Sequence, residues 1–270
     1  MVSVVNGVTV PASTTGAMEV PYVLGSWKVA VIGRNAFYGC SWLKSIKIPS
    51  DVTIIRERAF YGCKELTSIT IPSSVTSVGA GAFEGCVKLS KASIKGPVSY
   101  IGSRAFYNCG LKSITIPNTL SCIEPYTFYG CNNLTSIVIP ARTTVIRDYA
   151  FYGCSGLTNV VVSSGVMSIG DYSFSECTHL MGVVLPESLT RIGAHAFNNC
   201  KMLANLSIPY CVTSIGCGAF DGCLALPFDT TTTTGATMVD GWIVGYDDSL
   251  SSILRLTDAR GIIDVGERAK

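Results

Sequence analysis

Apolar residues recur along this chain in two short rhythms. In stretches such as Leu66-Thr67-Ser68-Ile69-Thr70-Ile71 an I-x-I pair alternates apolar and polar positions, the period of a strand with one buried face. A few residues later V-x-x-I adds a second extended piece, and A-F-x-x-C-x-x-L then spaces its apolar residues by three. That last spacing predicts one turn of tight helix with its inner side buried. Proline closes the I-x-I piece at Pro49, Pro72, Pro117, Pro140, Pro186 and Pro209, because a residue without an N–H cannot extend a ladder. Glycine ends the V-x-x-I piece at Gly33, Gly79, Gly102, Gly170, Gly193 and Gly216, where its backbone freedom is expected to be needed.

The rhythms belong to one repeat. Phe37, Phe60, Phe83, Phe106, Phe128, Phe151, Phe174, Phe197 and Phe220 follow one another at steps of 23 residues, with a single step of 22. Nine cysteines keep a constant offset of three from them: Cys40, Cys63, Cys86, Cys109, Cys131, Cys154, Cys177, Cys200 and Cys223. The short step arises where Cys109-Gly110-Leu111 has one residue between Cys and Leu instead of two. A fixed period of this length predicts a solenoid whose units bury their apolar sides against their neighbours. Eight or nine leading strands stacked in parallel at about 4.8 Å would build a sheet roughly 40 Å long.

Some units depart from the pattern. Lys95 and Ser163 stand where proline is usual, and Thr143 replaces the Val of the second extended piece. After Leu226 the repeat stops, and Asp240-Gly241 between Met238-Val239 and Trp242-Ile243 predicts a hairpin. Ile262, Val265, Gly266 and Ala269 partly return to the repeat, which suggests an array continuing into a longer natural chain. The expected organisation is an N-terminal cap over 1–26, the solenoid over 27–228, and an irregular hairpin segment with a partial terminal repeat over 229–270.

Composition narrows the function classes. Hydrophobic residues make up 48% of the 270 and charged residues 14%, ample for a large core. The formal net charge is only +2 and no basic stripe is visible along the sequence, which argues against nucleic acid as a partner. No apolar run approaches the roughly 20 residues of a spanning helix, so membrane insertion is not expected. The opening MVSVVNGVTVPAS has neither the basic start nor the apolar centre of a secretory signal. Either the protein is not exported by that route, or the sequence is a mature or trimmed piece of a longer chain.

The cysteine column admits three readings. Stacked equivalents lie within disulfide range, but side chains that all point one way would distort the ladder on pairing. Zinc needs four ligands converging on a point, which a one-dimensional column does not supply. A reduced, buried ladder packing as small hydrophobes is the reading favoured by the geometry. Cys122, Cys211 and Cys217 lie outside the column, and Cys122 and Cys217 sit at variable positions expected to be exposed. The nine Phe read as a core spine. Tyr38, Tyr61, Tyr107, Tyr129 and Tyr152 are expected to line the outer surface, packed between turns or touching a partner. His179 and His195 have no carboxylate and nucleophile fixed beside them, so they are expected to be exposed loop residues. Asp247-Asp248 falls short of a calcium motif. No catalytic residue, metal ligand or cofactor is expected.

L-x-x-I-x-I with a period of 23 resembles the leucine-rich repeat, and the added V-x-x-I-G-x-x-A-F-x-x-C half resembles its BspA-like subclass, over about residues 27 to 228. The resemblance implies an α/β repeat solenoid: a right-handed superhelix of nine 22–23-residue repeats, with the I-x-I strands as a parallel sheet on its concave side. It also implies a non-catalytic cell-surface or secreted protein that binds host matrix proteins, other cell-surface proteins or glycans. A spacer holding other domains of a longer protein is the alternative, and a repeat domain attached to a hydrolase is a third.

The candidate ligand-binding positions are the residues of the I-x-I strands that point away from the core. Those before the strand pair include Ser68, Lys91, Ser113, Ser136 and Asn159, and those between the core residues include Thr70, Ser93, Thr115, Val138, Val161 and Val184. Three adjacent valines on an outward row form a patch of the sort that marks interaction surfaces; the alternative is that branched residues simply suit a strand.

Overall fold

The computed structural model describes residues 2–4, 16–24, 26–227, 236–239, 242–246 and 261–262. Two columns of short parallel strands run through the repeats. The I-x-I column contains Ser45–Lys47, Ser68–Ile71, Lys91–Ile94, Ser113–Ile114, Ser136–Ile139, Asn159–Val162, Gly182–Val184 and Asn205–Leu206. The second column contains two-residue strands such as Ile54–Ile55, Ser77–Val78 and Val145–Ile146. Register is kept one repeat apart, as in Ser68↔Lys91 and Ile71↔Ile94. Alternate residues of each strand enter the core, so Ile69, Ile71, Ile137, Ile139 and Val160 are buried.

Proline placement has the expected effect. The carbonyl at this position accepts a turn bond with proline or without it, from Val75 N to Pro72 O and from Val166 N to Ser163 O. Where proline is absent the ladder runs on by one bond, Lys95 N to Ile71 O at 3.0 Å and Ser163 N to Ile139 O at 3.2 Å.

The A-F-x-x-C segment differs from the expected helical turn, and no helix forms among the described residues. Its N–H groups alternate in direction. Ala36, Tyr38 and Cys40 donate three residues back within their own rung, while Asn35, Phe37 and Gly39 donate to Glu57, Ala59 and Tyr61 of the next. A helix needs every N–H to turn back along its own axis, so this segment is a third inter-rung ladder built from turns. The residues two before and two after each Phe have positive φ, from Asn35 (57°) and Gly39 (71°) to Gly218 (63°) and Gly222 (74°). Glycine or asparagine takes that angle cheaply, yet Arg58, Tyr126, Tyr149 and Tyr172 adopt it here.

The repeat glycines after V-x-x-I serve a different purpose from the one expected. Gly79, Gly102, Gly170, Gly193 and Gly216 do not have positive φ; a Cβ on Gly79 would lie 2.4 Å from the Glu57 nitrogen, and one on Gly216 2.3 Å from the Ala194 nitrogen. Close approach of neighbouring rungs, rather than dihedral freedom, excludes a side chain there.

The core is a column of stacked rings. Adjacent Phe centroids from Phe37 to Phe220 are 5.1–5.8 Å apart with interplanar angles of 2–10°. Beside it each thiol from Cys63 to Cys223 donates to the Phe carbonyl of the preceding rung, at 3.0–3.3 Å. The rings supply the buried area, and each thiol satisfies a carbonyl between rungs.

At the N-terminal end, Ala17–Glu19 pairs in parallel with Ser45–Lys47, Met18 opposite Ile46. Met18-Glu19-Val20-Pro21 thus occupies the place of Ile46-Lys47-Ile48-Pro49, one rung earlier and 28 residues upstream. The extra residues form an antiparallel hairpin of Val23–Leu24 on Trp27–Ile32. Near the other end, Ala236–Val239 and Trp242–Tyr246 pair antiparallel, which is the expected hairpin, and Gly261–Ile262 joins its second strand in parallel. Asp240-Gly241, Asp247-Asp248, Val265, Gly266 and Ala269 lie outside the described residues.

Candidate functional site on the concave sheet

Strand alternation sends one residue of each I-x-I pair inward and its neighbour outward, so consecutive rungs build outward rows. Ser68, Lys91 and Ser113 align in one row of a three-stranded ladder, and Ser136, Asn159, Gly182 and Asn205 align in the equivalent row of a separate four-stranded ladder. The two ladders meet through the bond from Thr135 N to Lys112 O at 3.4 Å. In the parallel row Thr70 faces Ser93, and Val138 faces Val161, which faces Val184. Thr115 occupies the same position on the intervening repeat and is exposed. The expected positions thus point outward on two successive ladders of the same strand column.

Its two halves differ. Ser68, Thr70, Lys91, Ser113 and Thr115 are exposed and Ser93 is half-buried, giving a hydroxyl-rich surface with a cation. Beyond it Val138 and Val184 are 58% and 60% exposed, with Val161 half-buried between them. A depression of about 410 Å³ lies at the junction, lined by residues that include Ser113, Thr115, Asn118, Ser136, Val138 and Pro140. A second of about 590 Å³ lies over Val184, Asn205, Ser207 and Glu187. Gly182 leaves a gap in the polar row between them. A Cβ there would meet only Asn205 atoms at 3.5 and 3.7 Å, ordinary contact distances, so folding does not require this glycine.

The remaining candidate residues lie elsewhere. Eight of the nine column thiols are buried and Cys40, on the first of the Phe–Cys rungs, is half-buried. All are free, and burial pushes the Cys131 thiol up to about 12, away from thiolate chemistry at neutral pH. Cys122 and Cys217 are half-buried and Cys211 is exposed, the reverse of the order expected for these three. Arg147 donates to the Cys122 sulfur at 3.2 Å, yet burial still raises that thiol above its usual range. His179 is exposed, its Nδ1 2.7 Å from the Ser155 carbonyl oxygen. His195 is half-buried rather than exposed: its ring stacks on Tyr172 at 4.7 Å. Among the described residues no group of three or more His, Cys, Asp or Glu is placed to hold a metal ion, and no helix is long and apolar enough to cross a membrane.

The opposite side of the coil carries a feature that the sequence pattern hid. Tyr107, Tyr129 and Tyr152 stack at 4.6 and 4.8 Å, and Tyr38 stacks on Tyr61 at 4.7 Å. A second column, Tyr126, Tyr149, Tyr172 and His195, stacks at 4.7–4.9 Å at the left-handed position before each Phe. Arg104 closes one end, 3.9 Å from the Tyr107 ring centre and bonded through two nitrogens to Glu84. Stacking offsets the backbone cost of holding tyrosine at positive φ. The rings cover each other's faces, which makes packing between turns their evident role. The signal was in the sequence: Tyr126, Tyr149, Tyr172 and His195 are spaced by 23.

No curated protein matches the chain. Among solved structures, the T. pallidum leucine rich repeat protein is 28% identical, with 78% of each chain covered and a TM-score of 0.49. A leucine rich cell surface protein from Faecalibacterium prausnitzii is 24% identical over 78% of this chain and 80% of its own, with a TM-score of 0.45. A leucine-rich repeat protein from Bacteroides ovatus is 25% identical over 78% and 77%, with a TM-score of 0.39. The family model for the BspA type leucine rich repeat region matches residues 25–134 and 99–227, which together take in the two strand columns, the Phe spine and the cysteine ladder. The chain belongs to the BspA type leucine-rich repeat family.

Proposed function

We propose that this protein is a non-catalytic binding module of a cell-surface or secreted protein and that its partner, a protein or glycan, lies along the concave sheet. The observation that carries the reading is the row Val138–Val161–Val184. Folding requires only that the flanking isoleucines and valines of these strands be buried, yet the outward row is apolar on three consecutive rungs. Exposed apolar surface rimmed by hydroxyls is the composition of interaction sites rather than of a solvated face. Ser136 and Asn159 stand beside the valines as polar contacts, and Ser68, Thr70, Lys91, Ser93, Ser113 and Thr115 extend the surface. The name of the F. prausnitzii neighbour, a cell surface protein, accords with such a location. The domain organisation that goes with this reading is an N-terminal segment over 1–26 that already carries a first rung at 18–21, a solenoid continuing over 27–228 and a terminal segment over 229–270.

Screening the purified chain against immobilised matrix proteins, cell-surface proteins and glycans, followed by Val161→Asp, tests the proposal. The variant is expected to remain folded and to lose binding. Unchanged affinity for a partner captured by the wild-type chain would refute a concave site and favour the spacer alternative.

A further inference from the structure

We infer that the partner on this sheet is an extended polypeptide segment, acidic at one end and carrying branched apolar residues at the other; the inference rests on the concave-face reading above. Three outward positions recur on each leading strand: the two residues after the leading Leu and the one between the two core residues. From Lys44 to Ser207 these positions contain no Asp, Glu, Arg, Phe, Tyr or Trp. They do contain Lys44, Lys47, Lys91 and Lys112, and Lys95 stands immediately past the strand Lys91–Ile94; all five are exposed.

The ion-pair pattern sets these lysines apart. Lys47 pairs with Glu19 at 2.7 Å, but Lys44, Lys91, Lys95 and Lys112 have no carboxylate partner among the described residues. The other ion pairs, among them Arg104–Glu84 and Arg191–Asp171, lie off these rows. Five lysines exceed the chain's whole formal charge of +2, so the rest of the molecule is net negative. The fold thus gathers cations separated by up to 68 residues (Lys44 to Lys112) onto one face and leaves most of them uncompensated. An acidic ligand is steered to such a face and paired there.

The charge has a direction. Lys91 lies two rungs from Val138 and four from Val184, roughly 10 and 19 Å at the rung spacing of a parallel sheet. Glu187 borders the far end of the valine row, so the acidic end of a ligand is placed over Lys91, Lys95 and Lys112 and its apolar end over the valines. At about 3.3 Å per residue six or seven extended residues span that distance. Sugar rings and nucleobases are held largely by stacking on aromatic faces, and phosphates by Arg forks, and these rows carry neither.

The test is selection of a displayed random-peptide library on the full chain, followed by fluorescence anisotropy of the enriched peptides with Lys91→Glu/Lys112→Glu and Val161→Asp. Circular dichroism confirms that each variant is folded. Enriched peptides are expected to combine an acidic end with an apolar end and to bind more weakly as salt is raised. The lysine double variant is expected to bind them about tenfold more weakly or worse. Enrichment without acidic bias, or binding indifferent to the lysine variant but lost with Val161→Asp, overturns this inference and leaves the concave site standing. Peptide binding that neither variant weakens overturns both. Absence of any enriched peptide, or capture of heparin or a single-stranded oligonucleotide through the same lysines in its place, overturns the polypeptide assignment.

Discussion

Replacing Phe106 by alanine is the sharpest perturbation of the spine. Its ring is fully buried, 5.3 Å from Phe83 and 5.6 Å from Phe128. The backbone bonds of the position, Phe106 N to Thr127 O and Cys131 Sγ to Phe106 O, survive the substitution, so the loss is confined to the side chain. Emptying a buried Phe site costs about 3–5 kcal/mol when neighbours collapse only partly, and the two ring contacts make up about 0.5–1.5 kcal/mol each of that total. Each rung touches only its neighbours, so this loss weakens one place in the coil rather than the whole. Phe37 stacks on Phe60 alone among the described residues, so Phe37→Ala should cost about 1 kcal/mol less, one ring contact fewer. Urea unfolding followed by far-UV circular dichroism measures both, with the interior variant also expected to broaden or split the transition. A cost for Phe106→Ala below about 1.5 kcal/mol, against the 3–5 of a buried cavity, or no larger than that for Phe37→Ala, would refute the spine argument.

Other consequences are open to direct measurement. Thiol titration of the native chain should show Cys211 fastest, Cys40, Cys122 and Cys217 slower, and the eight buried column thiols only after denaturation; rapid native reaction of all twelve would contradict the buried ladder. Alkaline pH should destabilise the fold: Cys131 keeps its proton to about 12 when folded against 9.0 when free, so its contribution is whole below pH 9.0 and falls by about 1.4 kcal/mol per pH unit above it. Urea midpoints across that range should fall less steeply for Cys131→Ala than for wild type, and equal slopes would count against the assignment. Gly79→Ala should cost about 1–3 kcal/mol by forcing two rungs apart, whereas Gly153→Asn should cost less. Asparagine already holds the equivalent left-handed position at Asn108 and Asn199, and nothing lies within 4 Å of the missing Cβ of Gly153. Comparable losses at both sites in thermal melts would show that the two glycine columns have been misread.

Much of the architecture was legible because a solenoid writes its geometry as a period. Phe83 and Cys86 recur at fixed offsets, so their stacking and their burial follow from spacing alone, as does the outward direction of Val161 from strand alternation. Three things escaped. The left-handed column is occupied by Asn35, Arg58, Gly81, Tyr126 and His195, residue types too varied to advertise one backbone angle, and helical spacing therefore suggested a helical turn in its place. The first rung was hidden because Met18-Glu19-Val20-Pro21 departs from isoleucine and precedes the next unit by 28 residues instead of 23. The lysines of the concave face are distant in sequence and follow no period, so a linear scan for basic stripes passes over Lys44, Lys91 and Lys112. Only aligned rungs bring them together. The glycines after V-x-x-I were placed correctly and explained wrongly, because closeness between rungs is a tertiary property and backbone freedom is a local one.

The central claim is that architecture occupies the Phe and Cys side of the repeat and recognition occupies the I-x-I side. The most direct test takes one partner captured by the wild-type chain and compares its affinity for Val161→Asp, on the concave sheet, with that for Tyr149→Ala, on the opposite face. A loss of about tenfold or more for Val161→Asp with Tyr149→Ala unchanged is the predicted result. Loss with Tyr149→Ala and full binding by Val161→Asp would contradict the account.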